Sequence, residues 1–381
     1  MLQSKLPHVG TTIFTVMSGL ANEHQALNLS QGFPGFDCDP ALSELVAKYT
    51  RGGFNQYAPM TGVPPLRQAL AAKAVSVFGL TYDPDTEVTV TSGATEALFA
   101  ALTAVIRPGD EVLIFEPAYD SYAPAIELNG GIPVYITPEG PAYAIDWTAV
   151  AGKISSRTRA VIVNTPHNPT GYVWTQADLD ALAALLKPLD AWVVSDEVYE
   201  HITFDSQPHL SPASHPDLKD RTFLCGSLGK TFHVTGWKIG FCLAPKALSA
   251  EFRKIHQYLT FSTVTPVQYA LAEYLGNPEH YLTVAAFYQR KRDLFVQALE
   301  ASAFRFVPSQ GTFFQNVSYG HLSQENDYDL AVRLTKQIGV ASIPVSVFYH
   351  RKDDHKQLRF CFAKDDTMLL EAAERLSRLS W

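Results

Sequence analysis

Short runs rich in Val and Ile alternate with segments of helical period through the first two thirds of the chain. EVTVT (87–91), EVLIF (111–115), IPVYI (132–136), RAVIVN (159–164), AWVVS (191–195), RTFLC (221–225) and KIGFCL (238–243) read as strands. Few of them alternate apolar with polar positions, which predicts burial on both faces, as in a parallel sheet. TEALFAALTAVIR (95–107) and TQADLDALAALLK (175–187) carry apolar residues at helical spacing between them, the βα rhythm of an α/β fold. From residue 247 the pattern turns helical in ALSAEFRKIHQYL, in PVQYALAEYL and over 279–301. The end of the chain mixes strand signals (FRFVPS, GTFFQNV, QLRFCF) with helices near 327–338 and 366–379. The pattern predicts a large α/β domain over 45–278. A smaller α+β domain would combine 1–44 with 279–381, because the N-terminal stretch is too short to fold alone.

Composition narrows the function. Hydrophobic residues are 46% and charged residues 18% of 381, enough for a sizeable core and too apolar for a disordered chain. With 30 Lys and Arg against 38 Asp and Glu, the net charge is −8. Such a chain is poorly suited to gripping nucleic acid or an anionic membrane, and an anionic ligand would need a local positive site. Cys38, Cys225, Cys242 and Cys361 form no C-x-x-C pair, which fits a reduced compartment and gives no reason to expect a metal. MLQSKLPHVG has no apolar core of signal-peptide length, and no apolar run approaches the roughly 18 residues of a spanning helix. A cytoplasmic protein is the expectation.

Four segments at strand ends carry candidate chemistry. Thr91-Ser92-Gly93-Ala94-Thr95 joins a strand to an apolar helix, where free N–H groups and the helix dipole suit an anion; Ser92 or Thr91 would serve equally as an ordinary cap. Asn164-Thr165-Pro166-His167-Asn168-Pro169-Thr170-Gly171 is a rigid loop at the sheet edge where α/β proteins bind ligands, or a plain turn. Ser195-Asp196-Glu197-Val198-Tyr199 brings a carboxylate to the same edge, where it needs a partner unless it caps a helix. In Gly226-Ser227-Leu228-Gly229-Lys230-Thr231 the GKT recurs in phosphate-binding loops, but the first glycine of G-x-x-x-x-G-K-[ST] would have to stand at Leu224. A nucleotide-triphosphate site is therefore excluded. Lys230 remains as a lysine able to form a Schiff base with a carbonyl, and Lys238 supplies a second cation eight residues on.

Taken in order, SGAT, NTPHNPTG, SDEVY, SLGKTFHVTGWKIG and RFCF resemble the class I/II aminotransferases of fold type I, which work with pyridoxal 5′-phosphate. LSQGFPGF, NQYAPMTGVPPLR, FEPAYDSY, HQYLTF and IPVSVF resemble the kynurenine/glutamine and methionine branch of that family. The resemblance spans nearly the whole chain. It implies a large domain with a mostly parallel seven-stranded sheet between helices and a smaller α+β domain. Lys230 would hold the cofactor covalently and move the substrate proton, Asp196 would pair with the pyridine nitrogen, and Asn168 and Tyr199 would bond the ring oxygen. Gly93, Ala94, Thr95, Ser227 and Lys238 would cradle the phosphate, with Tyr119 stacked on the ring. Tyr57 would reach the phosphate held by a second copy, in a homodimer with shared active sites.

The resemblance also assigns the substrate contacts. Arg359 would fork onto the α-carboxylate, with Asn168 and the backbone of Gly32 completing that site. Phe14, Phe33 and Phe261 would line the side-chain pocket. Thr95 and Ser262 depart from residues of some kynurenine-type members, an aromatic and a histidine. Lys238 stands where many class I members have arginine. With no clear second arginine for a dicarboxylate, the expected substrates are an apolar or aromatic amino acid (methionine first, then Phe, Tyr, kynurenine or Gln) and a 2-oxo acid. The alternatives are β-elimination from cysteine S-conjugates on the same scaffold and a non-catalytic sensor module.

Overall fold

The computed structural model describes residues 3–379 and 381. Its strands, in chain order, begin with β1 (Leu27–Asn28), β2 (Val88–Thr91), β3 (Glu111–Phe115), β4 (Ile132–Ile136), β5 (Thr158–Asn164) and β6 (Trp192–Asp196). They continue with β7 (Thr222–Ser227), β8 (Gly240–Leu243), β9 (Phe314–Ser318), β10 (Val340–Ala341), β11 (Ile343–Pro344) and β12 (Gln357–Cys361). The seven strand-like runs of the first two thirds form one seven-stranded sheet, ordered β2-β8-β7-β6-β5-β3-β4. β7, β6, β5, β3 and β4 pair in parallel, and β8 runs antiparallel to both β2 and β7. Every residue of β2, β3 and β8 is buried, as helices on both faces require.

Several expectations change at the edges. β4 is the terminal strand, and Ile132 on it is 42% exposed, so burial on both faces fails there. The last strand of the sheet starts at Gly240 rather than Lys238, because Lys238 adopts a left-handed backbone (φ +54°) that no strand accommodates. FRFVPS forms no strand. Arg305 makes one isolated bridge to Ser318, and Pro308 has no N–H to extend the pairing. The helical pattern over 279–301 divides into Glu279–Leu282 and Val284–Leu299. The one near 327–338 is α-helical to Arg333, then a π-turn closed by Gly339 in the left-handed region (φ +72°).

Beyond the large sheet, β11-β12-β9 form a small antiparallel sheet, against which Phe295, Phe313 and Phe360 are buried. Met17 and Leu29 join that same core, and β1 pairs in parallel with β10. The N-terminal stretch therefore packs on the C-terminal part of the chain. Among the described residues, no helix is long and apolar enough to cross a membrane.

One backbone approach positions everything that follows. The helix Gly93–Val105 starts directly beyond β2, and its first turn lies against the start of β8. A Cβ on Gly240 would stand 2.5 Å from the carbonyl carbon of Gly93 and 2.6 Å from the amide of Ala94, both backbone atoms with nowhere to move. Gly240→Ala is expected to cost about 1–3 kcal/mol in urea unfolding. Gly236→Ala, where the added methyl meets open space, is the control expected within about 0.5 kcal/mol of the parent.

Candidate active site

The parallel strands deliver their C-terminal ends to one edge of the sheet, and a cavity of about 780 Å³ (its mouth included) opens there. Asp196 ends β6 inside it, buried at the close of an apolar run. One carboxylate oxygen accepts the Tyr122 hydroxyl at 2.5 Å, and the other accepts the Val198 amide at 3.3 Å. Among the described residues no cation pairs with it. Burial, opposed by the Tyr122 bond, raises its pKa to about 6. Asn164, at the end of β5, bonds the Asp196 carbonyl through Nδ2 and accepts the Asn168 amide at 2.7 Å, which ties the loop after β5 to the end of β6.

Lys230 lies one turn beyond β7, and its Nζ donates to the Gly32 carbonyl at 2.8 Å. Burial lowers its pKa to about 8, so about a tenth of its amine is uncharged at pH 7, far more than for an exposed lysine. Tyr199 is buried beneath it, and burial pushes the phenol well above its usual range. Tyr119 shares the cavity wall with Lys230, its phenol pushed up to about 12 by burial.

A second hollow continues from the first through Tyr119, Asn168, Tyr199 and Lys230, and adds Phe14, Gly32, Phe33 and Arg359. Arg359 is 1% exposed, on β12. Its guanidinium carbon lies 3.9 Å from the Phe314 ring centre, 5.2 Å from Phe348 and 5.4 Å from Phe14. Nη1 donates to Asn168 Oδ1 at 2.9 Å and Nη2 to the Ser30 carbonyl at 3.2 Å, while Nε is buried with no partner. Burial lowers its pKa to about 10, which still leaves a cation at neutral pH.

The opposite wall is built for an anion. Gly93, with φ +75°, opens the helix, and Ala94, Thr95, Ser227 and Lys238 stand around it. The Lys238 ammonium is packed so close that a Cβ on Gly93 would lie 3.1 Å from it. Neither capping alternative holds for this helix. The Ser92 side chain makes no cap bond, and Thr91 Oγ1 bonds the Gly93 carbonyl instead. Helix N–H groups, a dipole end and an ammonium thus converge on one side of the cavity.

Two expected residues do not join these walls within one chain. Tyr57 is 86% exposed, and Phe261 is 42% exposed with a left-handed backbone (φ +68°). Their rings meet edge to face at 5.5 Å on the surface, so Phe261 does not line this chain's own pocket. Tyr122, Ser30 and Asn164 belong to the site, although the sequence motifs that hold them assign none of the three a role. Tyr122 stands in FEPAYDSY, but nothing local marks which of its aromatics turns toward a carboxylate 74 residues away.

The model of "aminotransferase class I and II" matches residues 24–376. The chain belongs to this family. This aminotransferase is 53% identical to the methionine aminotransferase of Escherichia coli over 378 residues, covering 99% of this chain and 98% of that protein. It superposes on the crystal structure of Escherichia coli YbdL, reported to have a methionine aminotransferase function, with a TM-score of 0.97, 52% identity and complete coverage of both chains. It is 34% identical to human kynurenine–oxoglutarate transaminase 1 over 394 residues, covering 94% and 93% of the two chains.

The family works with pyridoxal 5′-phosphate, and this aminotransferase has the matching groups. An ammonium beside a helix start suits the phosphate, a buried carboxylate without a cation suits a protonated ring nitrogen, and a partly uncharged lysine suits an aldehyde. The carboxylate is costly while its cation is missing. Because the folded pKa of Asp196 lies above the unfolded value, the stability its protonated form allows is present at acid pH and lost as pH rises through about 6. In the cofactor-free protein, Asp196→Asn is expected to gain stability over the parent between about pH 4 and 6, by about 2–3 kcal/mol, then level off. Urea unfolding across pH tests this, and a difference that does not change with pH would refute it.

Proposed function

We propose that this aminotransferase moves the amino group of apolar and aromatic amino acids, methionine foremost, to a 2-oxo acid. The cycle is ping-pong, each acid leaving before the next enters, in a cytoplasmic homodimer with shared active sites. The observation that carries the substrate reading is Arg359, among the described residues the one guanidinium lining the two hollows, held among Phe14, Phe314 and Phe348 with Nε unpartnered. It offers a fork to one carboxylate and an aromatic wall, with no second arginine for another acid. The likeness to methionine and kynurenine aminotransferases supports the same choice.

In this reading Lys230 would hold the cofactor covalently, and its Nζ, once the substrate amine has displaced it, would carry the substrate proton between Cα and C4′. The cofactor supplies an electron sink for the pair left on Cα. Asp196, held by Tyr122, keeps the ring nitrogen protonated, while Asn168 and Tyr199 bond the ring oxygen and Tyr119 covers the ring face. Gly93, Ala94, Thr95, Ser227 and Lys238 hold the phosphate, and Tyr57 of a second copy completes that cradle. Gly32 and Asn168 help Arg359 fix the carboxylate, and Phe14, Phe33 and a second copy's Phe261 side face the side chain. The surface position of the Tyr57–Phe261 pair supports the shared site. The division into 45–278 and 1–44 with 279–381 belongs to the same reading, supported by the pairing of β1 with β10.

Amino acids added singly without an acceptor test the half-reaction. Methionine is expected to bleach the visible band of the lysine-bound cofactor toward the near-ultraviolet band of the amine form, with phenylalanine close behind and aspartate slow. A panel in which aspartate alone acts would overturn the substrate reading. Lys230→Ala is expected to abolish turnover while cofactor still binds without a covalent link, and near-parental rates would refute the assigned role. Arg359→Lys, which removes the fork and keeps the charge, is expected to lower kcat/KM about a hundredfold or more.

A further inference from the structure

The first turn of the helix Gly93–Val105 contains a group that ought to oppose an anion. Glu96, three residues past Gly93, is buried with its side chain 8% exposed. Its Oε2 accepts the Ser92 amide at 2.6 Å, occupying an N–H just outside the cradle. A bare carboxylate here would repel a phosphate held at the same helix start.

His256 removes that conflict. Its side chain is completely buried on the neighbouring helix Lys246–Leu259, with Nδ1 2.6 Å from Glu96 Oε1 and Nε2 2.8 Å from the Met60 carbonyl. A carbonyl oxygen only accepts, so Nε2 carries a proton. The contact between Nδ1 and the carboxylate oxygen then requires a second proton between them, and the pair is neutral wherever that proton sits. The same residue reaches two further elements. Met60 lies three residues beyond Tyr57, and the His256 carbonyl accepts the amides of Thr260 and Phe261 at 3.1 and 3.0 Å.

We propose that Glu96 and His256 are the positioning pair of the phosphate cradle. The imidazole cancels the charge of the carboxylate beside the bound anion and locks the helix start to the segment that carries Tyr57, while the backbone carbonyl of the same residue holds the turn at Phe261. This rests on the pyridoxal 5′-phosphate reading above. The elements offered to a second copy and the cradle of the chain's own site are thereby registered by one buried residue, through its imidazole on one side and its carbonyl on the other.

The test compares the binding of pyridoxal 5′-phosphate with that of phosphate-free pyridoxal, using the full chain. His256→Gln leaves an amide that cannot carry the second proton. It is expected to weaken pyridoxal 5′-phosphate binding about tenfold and to leave pyridoxal within about twofold. Adding Glu96→Gln to the same chain is expected to recover most of that loss. Equal weakening of both ligands, or no recovery in the double variant, would overturn the proposal. Should His256→Gln fail to fold, Glu96→Gln alone decides. Its amide can still accept from Ser92 and donate to a neutral imidazole, so affinity for the phosphorylated ligand is expected within about threefold of the parent, and a larger loss overturns the proposal. A parent chain that bound neither ligand would refute the cofactor reading itself and this pair with it, a result visible before any variant is made.

Discussion

The carboxylate of Asp196 enters the interior at the end of an apolar strand, and the described residues supply hydrogen bonds to it but no ion pair. That imbalance organises the cavity. Burial discourages the charge on Asp196, and the same low-dielectric surroundings discourage it on Lys230 and Arg359. Each of these groups is left wanting something a ligand brings: a cation for the acid, a carbonyl for the amine, a carboxylate for the guanidinium. The fold carries this cost because the strand ends, the loop after β5 and the turn after β7 are held by packing elsewhere in the sheet.

The anion wall depends on a different kind of constraint. The helix start and the first residue of β8 crowd together at distances that only glycine allows at position 240, and Gly93, with its left-handed backbone (φ +75°), lets the Lys238 ammonium pack close against it. An antiparallel strand inserted between β2 and β7 makes this possible. It turns the beginning of β8, with Lys238 just before it, toward the same edge as the C-terminal ends of its two antiparallel neighbours, β2 and β7.

How far the residues foretold this varies with how local the cause is. The seven sheet strands were legible because helices on both faces demand unbroken apolar runs, and Val and Ile supply them. The exposed edge at Ile132 and the lost strand at FRFVPS were not, because strand order and a missing N–H at Pro308 decide them. Lys230, Asp196 and Arg359 stood out through the order of whole motifs rather than through any single one. Tyr122 stayed hidden because its partner lies across the sheet. Glu96 and His256 looked like ordinary helix residues, since 160 positions separate them and only the packing of two helices brings them into contact.

The clamp at Arg359 has a consequence for which molecules the site admits. Three aromatic rings and two hydrogen bonds hold the guanidinium in place before anything arrives, and its buried Nε has no partner among the described residues. An amino acid and a 2-oxo acid differ at the reacting carbon but present the same head group, so under the proposed function one rigid clamp would serve both halves of the exchange without readjustment. A simple amine such as a decarboxylated amino acid would fill the aromatic wall equally well and still leave the guanidinium without its carboxylate. The proposed site would therefore be tolerant along the tail of its substrates while strict about their acid end.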